Sequence, residues 1–511
     1  MINFIPNDPL TVDILPMRRV TPKKDRPAGR AGITLTGAIA AARYPEGTPE
    51  FVAWQARQAA ILAIEAWEAV LGTPLTSWSQ EAGNPASLLL KYDAGQDLNA
   101  YYDRETLSFF HATKAGTTTY SGASTDVVAH EAGHAILDAL RPDLWGINLL
   151  EVGGFHEAFG DVTAIVTALH DRKTREALLA LSPKLDTPNF VEATAEDLSA
   201  AIRRFYGANF SASQPRRALN TFIWQLPETM PKNGGPNVMI AEVHSIARIM
   251  SGCFYDVLRG IFLQSGKLTQ AGLWNATKIA ATLFYEAARN APAVPRFFRA
   301  VGRAMVLADQ QMYGGKYRDV ITQAFANHGL ALGAEALLAP EMALAGASPK
   351  VRRDAVTVED ATIQDLRGRF AAGSRKPVTV NKIELGGHPM ASVTLQGEVS
   401  LDEISPSLKG VVAAVDTVAL VGGSGGSAAL MAAPRSGAAA SEVIDFVSSL
   451  MLHNQIHFTD AATPKKAAAT APATKARPGL GTTHAVKKRG AKRELQRIRF
   501  ACGLPGFQNA E

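Results

Sequence analysis

Two histidines four residues apart, with a glutamate directly after the first, form the stretch His130-Glu131-Ala132-Gly133-His134. The flanking Val127, Val128, Ile136, Leu137 and Leu140 recur at helical spacing, with no proline before Pro142, so 124–140 is expected to be a helix. On a helix, His130 and His134 share one face, one turn apart, and can present two imidazole nitrogens to one tetrahedral Zn2+. Glu131 falls on the neighbouring face, where it would reach a metal-bound water rather than the metal. The same pattern also describes two ordinary core or surface histidines, so the rest of a zinc site has to decide between them.

The next apolar-periodic segment, 149–169, is expected to be a helix opened by Gly153 and Gly154, and it carries Glu157 and Asp161 at i and i+4. Two carboxylates on one face of an apolar helix need partners, because a lone buried carboxylate is costly. Zinc and a zinc-bound histidine supply both. Glu157 would be a third protein ligand that leaves the fourth position open, and Asp161 would accept a hydrogen bond from the non-ligating nitrogen of a ligand histidine. A solvent-facing acidic pair is the alternative.

These residues carry a resemblance. "HEAGH" followed by "HEAFGD" resembles the thermolysin family of zinc metallopeptidases, among the gluzincins. "TDVVAHE" (125–131) is similar to that family's approach to its zinc helix, and "DLNAYYD" (97–103) to its edge strand. "AEVHSIARIMSGCFYDVL" (241–258) resembles the helix bearing the catalytic histidine, and "ADQQMYGGKYRDVITQAFANHGL" (308–330) the closing helices, so the likeness covers residues 50–332. It implies a metalloendopeptidase acting on peptide or protein substrates with one catalytic zinc held by His130, His134 and Glu157. Glu131 would be general base and His244 a donor to the oxyanion. Asn99 and Ala100 would hold the substrate backbone as an added strand, and Arg217, or Arg216 if the match slips by one, would contact a substrate carbonyl.

The chain departs from the family in several places. No tyrosine stands near Asn148, where one usually assists the oxyanion, and His156 replaces the asparagine before the glutamate ligand. His156 is read as a residue behind the ligands or on the surface. The position of a calcium-binding acid is apolar, around Ala168, which counts against calcium although Asp126 is present. Neither an export signal nor room for a large inhibitory propeptide is recognisable before the matched region.

The elements that must position these residues follow from periodicity. Residues 50–72 form an amphipathic pattern, and 87–112 read as strands joined by polar turns. Helices are expected at 124–140, 154–171, 173–182, 195–206, 241–264, 272–290, 295–312 and 317–330. The expected fold class is α+β: a two-lobed thermolysin-like core, with a strand-bearing lobe (1–120) and a helical zinc-binding lobe (121–345). A small accessory α/β domain (346–460), where strand-like alternation precedes a helical or extended stretch, and a basic disordered tail (461–511) complete the expectation.

Composition sets outer limits. With 511 residues, 47% of them hydrophobic and 19% charged, the chain is neither fibrous nor wholly disordered. The first thirty residues lack an uninterrupted apolar run, and the most apolar later stretch, 410–434, is broken by Asp416, glycines and serines. No membrane span is expected, and the cytoplasm is the default location, with non-classical export kept open. Cys253 and Cys502 stand far apart, outside any Cys/His cluster, and point away from a thiolate metal site. Residues 464–500 hold eleven Lys or Arg against Glu494 alone, so this segment is +10 and the remainder −5 of the net +5. It is expected to be a solvated tail or a contact for nucleic acid, anionic lipid or an acidic partner. Two other functions therefore stay open: a catalytically inactive binding module, and a tail-mediated binder of nucleic acid or anionic surfaces.

Overall fold

The computed structural model describes residues 1–291, 293–333, 358, 360–369, 378–385, 388–395, 397–415, 417–422, 438–458, 481–490 and 492–502. The expected boundary at 345/346 and residues 461–480 of the expected tail lie outside them. Strands β1 (Ile2–Phe4), β2 (Arg18–Val20) and β3 (Gly32–Leu35) precede helix α1 (Pro49–Leu71). Strands β4 (Ser87–Lys91), β5 (Ala100–Tyr102), β6 (Thr106–Phe109), β7 (His111–Lys114) and β8 (Thr117–Tyr120) follow. The chain then turns helical: α2 (Thr125–Leu140), α3 (Leu150–His170) and α4 (Arg172–Leu181). A short pair, β9 (Ala193–Thr194) and β10 (Arg216–Arg217), brackets α5 (Glu196–Tyr206). After it come α6 (Val243–Gln264), α7 (Gln270–Asn290), α8 (Phe297–Tyr313) and α9 (Arg318–Asn327).

Beyond 350 the described elements are α10 (Asp360–Arg369), β11 (Val378–Leu385), β12 (His388–Leu395), β13 (Glu398–Ser400), β14 (Val411–Ala414) and β15 (Thr417–Gly422). They are followed by α11 (Ala438–Leu452), β16 (Ile456–Phe458), β17 (His484–Arg489), β18 (Lys492–Arg497) and β19 (Phe500–Ala501). The architecture is mixed helix and strand. Among the described residues no helix is long and apolar enough to cross a membrane.

Most helices lie within a few residues of their expected positions because apolar period and caps are local signals. In α1, Thr48 accepts from the Phe51 N–H, Pro49 occupies the first turn, and Gly72 ends the helix at φ 69°. Helix α3 differs: it starts at Leu150, and Gly153 and Gly154 lie inside it. A Cβ at Gly153 would come 2.7 Å from Val243, and one at Gly154 2.4 Å from Ile246, so these glycines admit α6 rather than open a helix. Alanines line the neighbouring helix contacts. Ala63 of α1, Ala129 and Ala132 of α2 and Ala164 of α3 form one buried cluster, and Trp67 Nε1 donates to Thr163 Oγ1 at 3.0 Å.

Two five-stranded sheets frame these helices. The first runs β19-β5-β6-β4-β3, with β3, β4 and β6 parallel and β5 and β19 antiparallel to their neighbours. The second runs β13-β14-β18-β17-β16. The expectation of a disordered tail therefore fails for residues 481–490 and 492–502. Apolar positions that are sparse in sequence, Ala485, Val486 and Leu495, are buried, and Lys492 pairs with Glu398 at 2.7 Å. Neighbouring strands supply the buried surface that the segment could not supply for itself.

At the start of α2, Ser124 Oγ donates to Asp8 Oδ2 at 2.7 Å and also contacts Asp126 Oδ1. One hydroxyl proton cannot serve two ionised carboxylates. Burial, the largest cause, pushes Asp8 up to about 6, Asp126 to about 7 and Glu196 to about 8; Asp8 also raises Asp126, which raises Glu196. Folding thus raises these values, so this contribution to stability is full below the unfolded carboxyl range, near 4, and is lost as pH rises through about 6 to 8. Asp8→Asn keeps an acceptor for the Leu10 and Asp197 N–H groups. It is expected to exceed the wild type in stability at pH 8 by on the order of 1 kcal/mol and to match it at pH 4, in thermal melts recorded with chelator.

Candidate metal centre

Helices α2 and α3 bring the expected ligands together. One ligating atom each from His130, His134 and Glu157 lies within 4.8 Å of the others, and all three residues are buried. His130 Nε2 is 3.2 Å from Glu157 Oε2, and His134 Nε2 is 3.7 Å from Glu157 Oε1. Two glycines allow this approach. A Cβ at Gly133 would lie 2.7 Å from Thr163 Oγ1, and one at Gly160 would lie 2.5 Å from the His130 ring.

The residues around the triad orient it. Asp161 Oδ1 stands 3.0 Å from His130 Nδ1 and Glu157 Oε2 3.2 Å from its Nε2, so with an ion at Nε2 Asp161 would hold the Nδ1 proton and fix the ring. Asp161 also accepts from Ser251 Oγ at 2.9 Å and from Arg216 Nη2 at 2.8 Å. Burial pushes its carboxyl up, yet Arg216 and His130 hold it well below the usual range. Burial also drives His134 well below the usual histidine range, with further lowering from the neighbouring cations, so this imidazole is neutral. His134 Nε2 and Glu157 Oε1 are buried without a hydrogen-bond partner. Two imidazole nitrogens and a carboxylate oxygen fit zinc in donor type, and these unpartnered atoms are what a cation would satisfy.

Glu131 is fully buried, and neither of its oxygens has a hydrogen-bond partner. Burial, with Cys502 next, pushes its carboxyl well above the usual range. His244, in the first turn of α6, places Nε2 at 3.2 Å from Glu157 Oε2. Its Nδ1 meets Glu242 Oε1 at 2.6 Å, and the same Glu242 side chain caps α6 by accepting from the His244 and Ser245 N–H groups. Burial raises the Glu242 carboxyl, but His244 and these N–H groups hold it at about 2.

The two arginines separate. Residues 216 and 217 occupy adjacent positions of β10, paired with Thr194 and Ala193, so their side chains take opposite faces. Arg216 turns to Asp161 and His130, whereas Arg217 forms an ion pair with Glu192. Asn148 Nδ2 donates to the Gly146 and Ala414 carbonyls. His156 is buried rather than on the surface and stacks on Phe500 with ring centroids 4.1 Å apart.

Sequence reasoning missed Cys502. Its sulfur lies within 4.8 Å of ligating atoms of His130 and Glu131, and likewise of Glu157 and His244, which corrects the expectation that the cysteines point away from a metal site. No local signal could have found it, since the segment that carries it reaches the centre only through sheet pairing. Glu242 and Arg216 were missed as partners for a similar reason. A cavity of about 350 Å³ adjoins the centre, lined by residues including Leu198, Ile202, Arg216, His244, Arg248 and Cys502.

Residues 103–336 match the fungalysin metallopeptidase family (M36). The span includes His130, His134, Glu157 and His244 and leaves out β5 and β19. The chain is also similar to extracellular metalloproteinase 2 of Phaeosphaeria nodorum, with 28% identity over 229 residues, 42% of this chain and 32% of that protein. It therefore spans about a third of the length of the curated relative it matches. The match is to fungalysins, so the thermolysin resemblance holds at the coarser level of zinc metallopeptidases. At that level residues 103–336, less than half of the chain, resemble a zinc metallopeptidase core.

Proposed function

We propose that this chain, which resembles the fungalysin metallopeptidases over 103–336, is a zinc-dependent metalloendopeptidase of two-lobed, thermolysin-like design. The observation that carries the reading is the convergence of His130, His134 and Glu157 beside a buried, unpartnered Glu131. These three residues would hold the ion. When bound, zinc supplies Lewis-acid polarisation of a carbonyl and acidifies a coordinated water.

The chain's own residues supply the rest. Glu131 takes a proton from the attacking water and passes it to the leaving amine. His244, held by Glu242, presents Nε2–H toward the carbonyl oxygen as negative charge develops, and it does so without a tyrosine near Asn148. Asp161 fixes the His130 ring. The substrate backbone would pair with β5 at Asn99 and Ala100. Arg216 and Arg217 both line the cavity, and either would donate to a substrate carbonyl, Arg216 from its place beside Asp161 and His130 and Arg217 from its place beside Glu192. Residues 346–460 are read as an accessory α/β domain, whose strands β13, β14 and β16 share a sheet with β17 and β18.

The purified chain is expected to carry about one zinc, and cleavage of a mixed peptide library should stop on chelation and return on adding zinc. Zinc held with no cleavage under any condition would favour the binding-module reading. Absence of zinc would remove the ligand assignment.

A further inference from the structure

The C-terminal segment crosses the proposed centre. Strand β19 pairs antiparallel with β5, Phe500 opposite Tyr102 and Ala501 opposite Tyr101, and the Cys502 N–H donates to the Ala100 carbonyl at 2.8 Å. This is the edge on which the proposed function seats the substrate backbone. The side chains are seated as well. The Phe500 ring stacks on His134 and His156 at 4.7 and 4.1 Å, meets Trp145 edge-on at 5.3 Å, and lies 4.1 Å below the Arg497 guanidinium. Cys502 is 6% exposed, and its sulfur lies within 4.8 Å of ligating atoms of His130 and Glu131 and of Glu157 and His244.

The rest of the C-terminal region holds this segment in place. Trp145 Nε1 donates to the Arg497 carbonyl at 3.1 Å, where β18 ends. Ser449 of α11 donates to the Ala241 carbonyl at 2.5 Å, just before the Glu242 cap, and Asp445 and Glu442 pair with Lys232 and Arg296. The segment is thus presented from a packed sheet, and its binding is intramolecular.

Resting on the reading of this centre as a zinc site, we infer that Cys502 is the fourth metal ligand and that residues 500–502 occupy the substrate's place, so that the chain blocks its own cleft. Three protein ligands leave one coordination position for water in a catalytic site, and a soft thiolate suits zinc in that position. With the sulfur there, Glu131 has no water to act on, in keeping with its buried, unpartnered oxygens. The backbone bonds of β19 and the Phe500 seat raise the local concentration of the thiolate far above that of a free competitor.

The 511-residue chain loaded with cobalt(II), whose thiolate complexes absorb by ligand-to-metal charge transfer in the near ultraviolet, tests this directly. Wild type and Cys253→Ser are expected to show the band, and Cys502→Ser to lose it while still binding one metal. With zinc, Cys502→Ser is expected to cleave a peptide mixture on the order of 10²-fold faster than wild type. Cobalt bound by wild type without a thiolate band would overturn the inference and leave the zinc-site reading standing. A band with equal cleavage by wild type and Cys502→Ser would overturn the block. No metal bound by either chain would overturn the zinc-site reading and this inference with it.

Discussion

Glu131→Gln is expected to lower peptide cleavage by about 10²- to 10⁴-fold and to leave zinc content at the parent's level. The two effects separate because Glu131 shares α2 with two of the proposed ligands yet is not in the triad that converges with Glu157. Glutamine preserves the volume of a fully buried side chain and keeps one acceptor oxygen, so neither the α2–α3 contact nor the positions of His130 and His134 should change. What disappears is the capacity to take and return a proton. The comparison is best made in the Cys502→Ser parent, where no thiolate competes with water for the fourth position of the centre. Equal rates in the two chains would remove Glu131 as the base. A parallel loss of zinc would make it a ligand instead.

The second large effect is expected at Asp161. Its carboxylate is buried and takes hydrogen bonds from Arg216 and Ser251 while facing His130 Nδ1. Asp161→Asn keeps the shape and removes the charge, which strands the Arg216 guanidinium beside His130. Breaking a buried pair from one side costs about 3 kcal/mol or more. Loss of the carboxylate behind a ligand histidine should lower zinc affinity by about 10- to 100-fold. The pH dependence is specific. Because folding depresses the Asp161 carboxyl, its contribution is present above the unfolded value, near 4, and is lost as pH falls through the folded value, so the deficit of the variant is full at pH 7 and shrinks only in strong acid. Urea titrations give the stability arm and competition with a chromophoric chelator the affinity arm. Adding Arg216→Gln should restore most of the stability, since no unpaired charge remains, and none of the affinity. Recovery of both would mean that Asp161 acts only as a counter-ion.

What the sequence determined by itself was local. Helical period places His130 and His134 one turn apart on α2, and Glu157 and Asp161 one turn apart on α3, because residues four apart on a helix share a face whatever surrounds them. Both helices could be expected from apolar spacing, although Gly153 and Gly154 were misread as a helix start when their role is to let α6 approach.

Only the tertiary structure decided the rest. Which of two adjacent arginines faces the centre depends on the register of β9 against β10, and a slip of one residue would exchange Arg216 for Arg217. The basic C-terminal stretch looked unfoldable because its few apolar residues bury nothing alone. In the structure Val486 and Leu495 pair with each other and are buried, with Val486 also opposite Phe458 of β16 and Leu495 opposite Ala413 of β14. Cys502 stands far from the histidine motif in sequence and reaches it through the pairing of β19 with β5. A contact of that range leaves no periodic trace along the chain. It arises from free backbone N–H and C=O groups at a sheet edge, which pair with whichever strand the fold brings beside them.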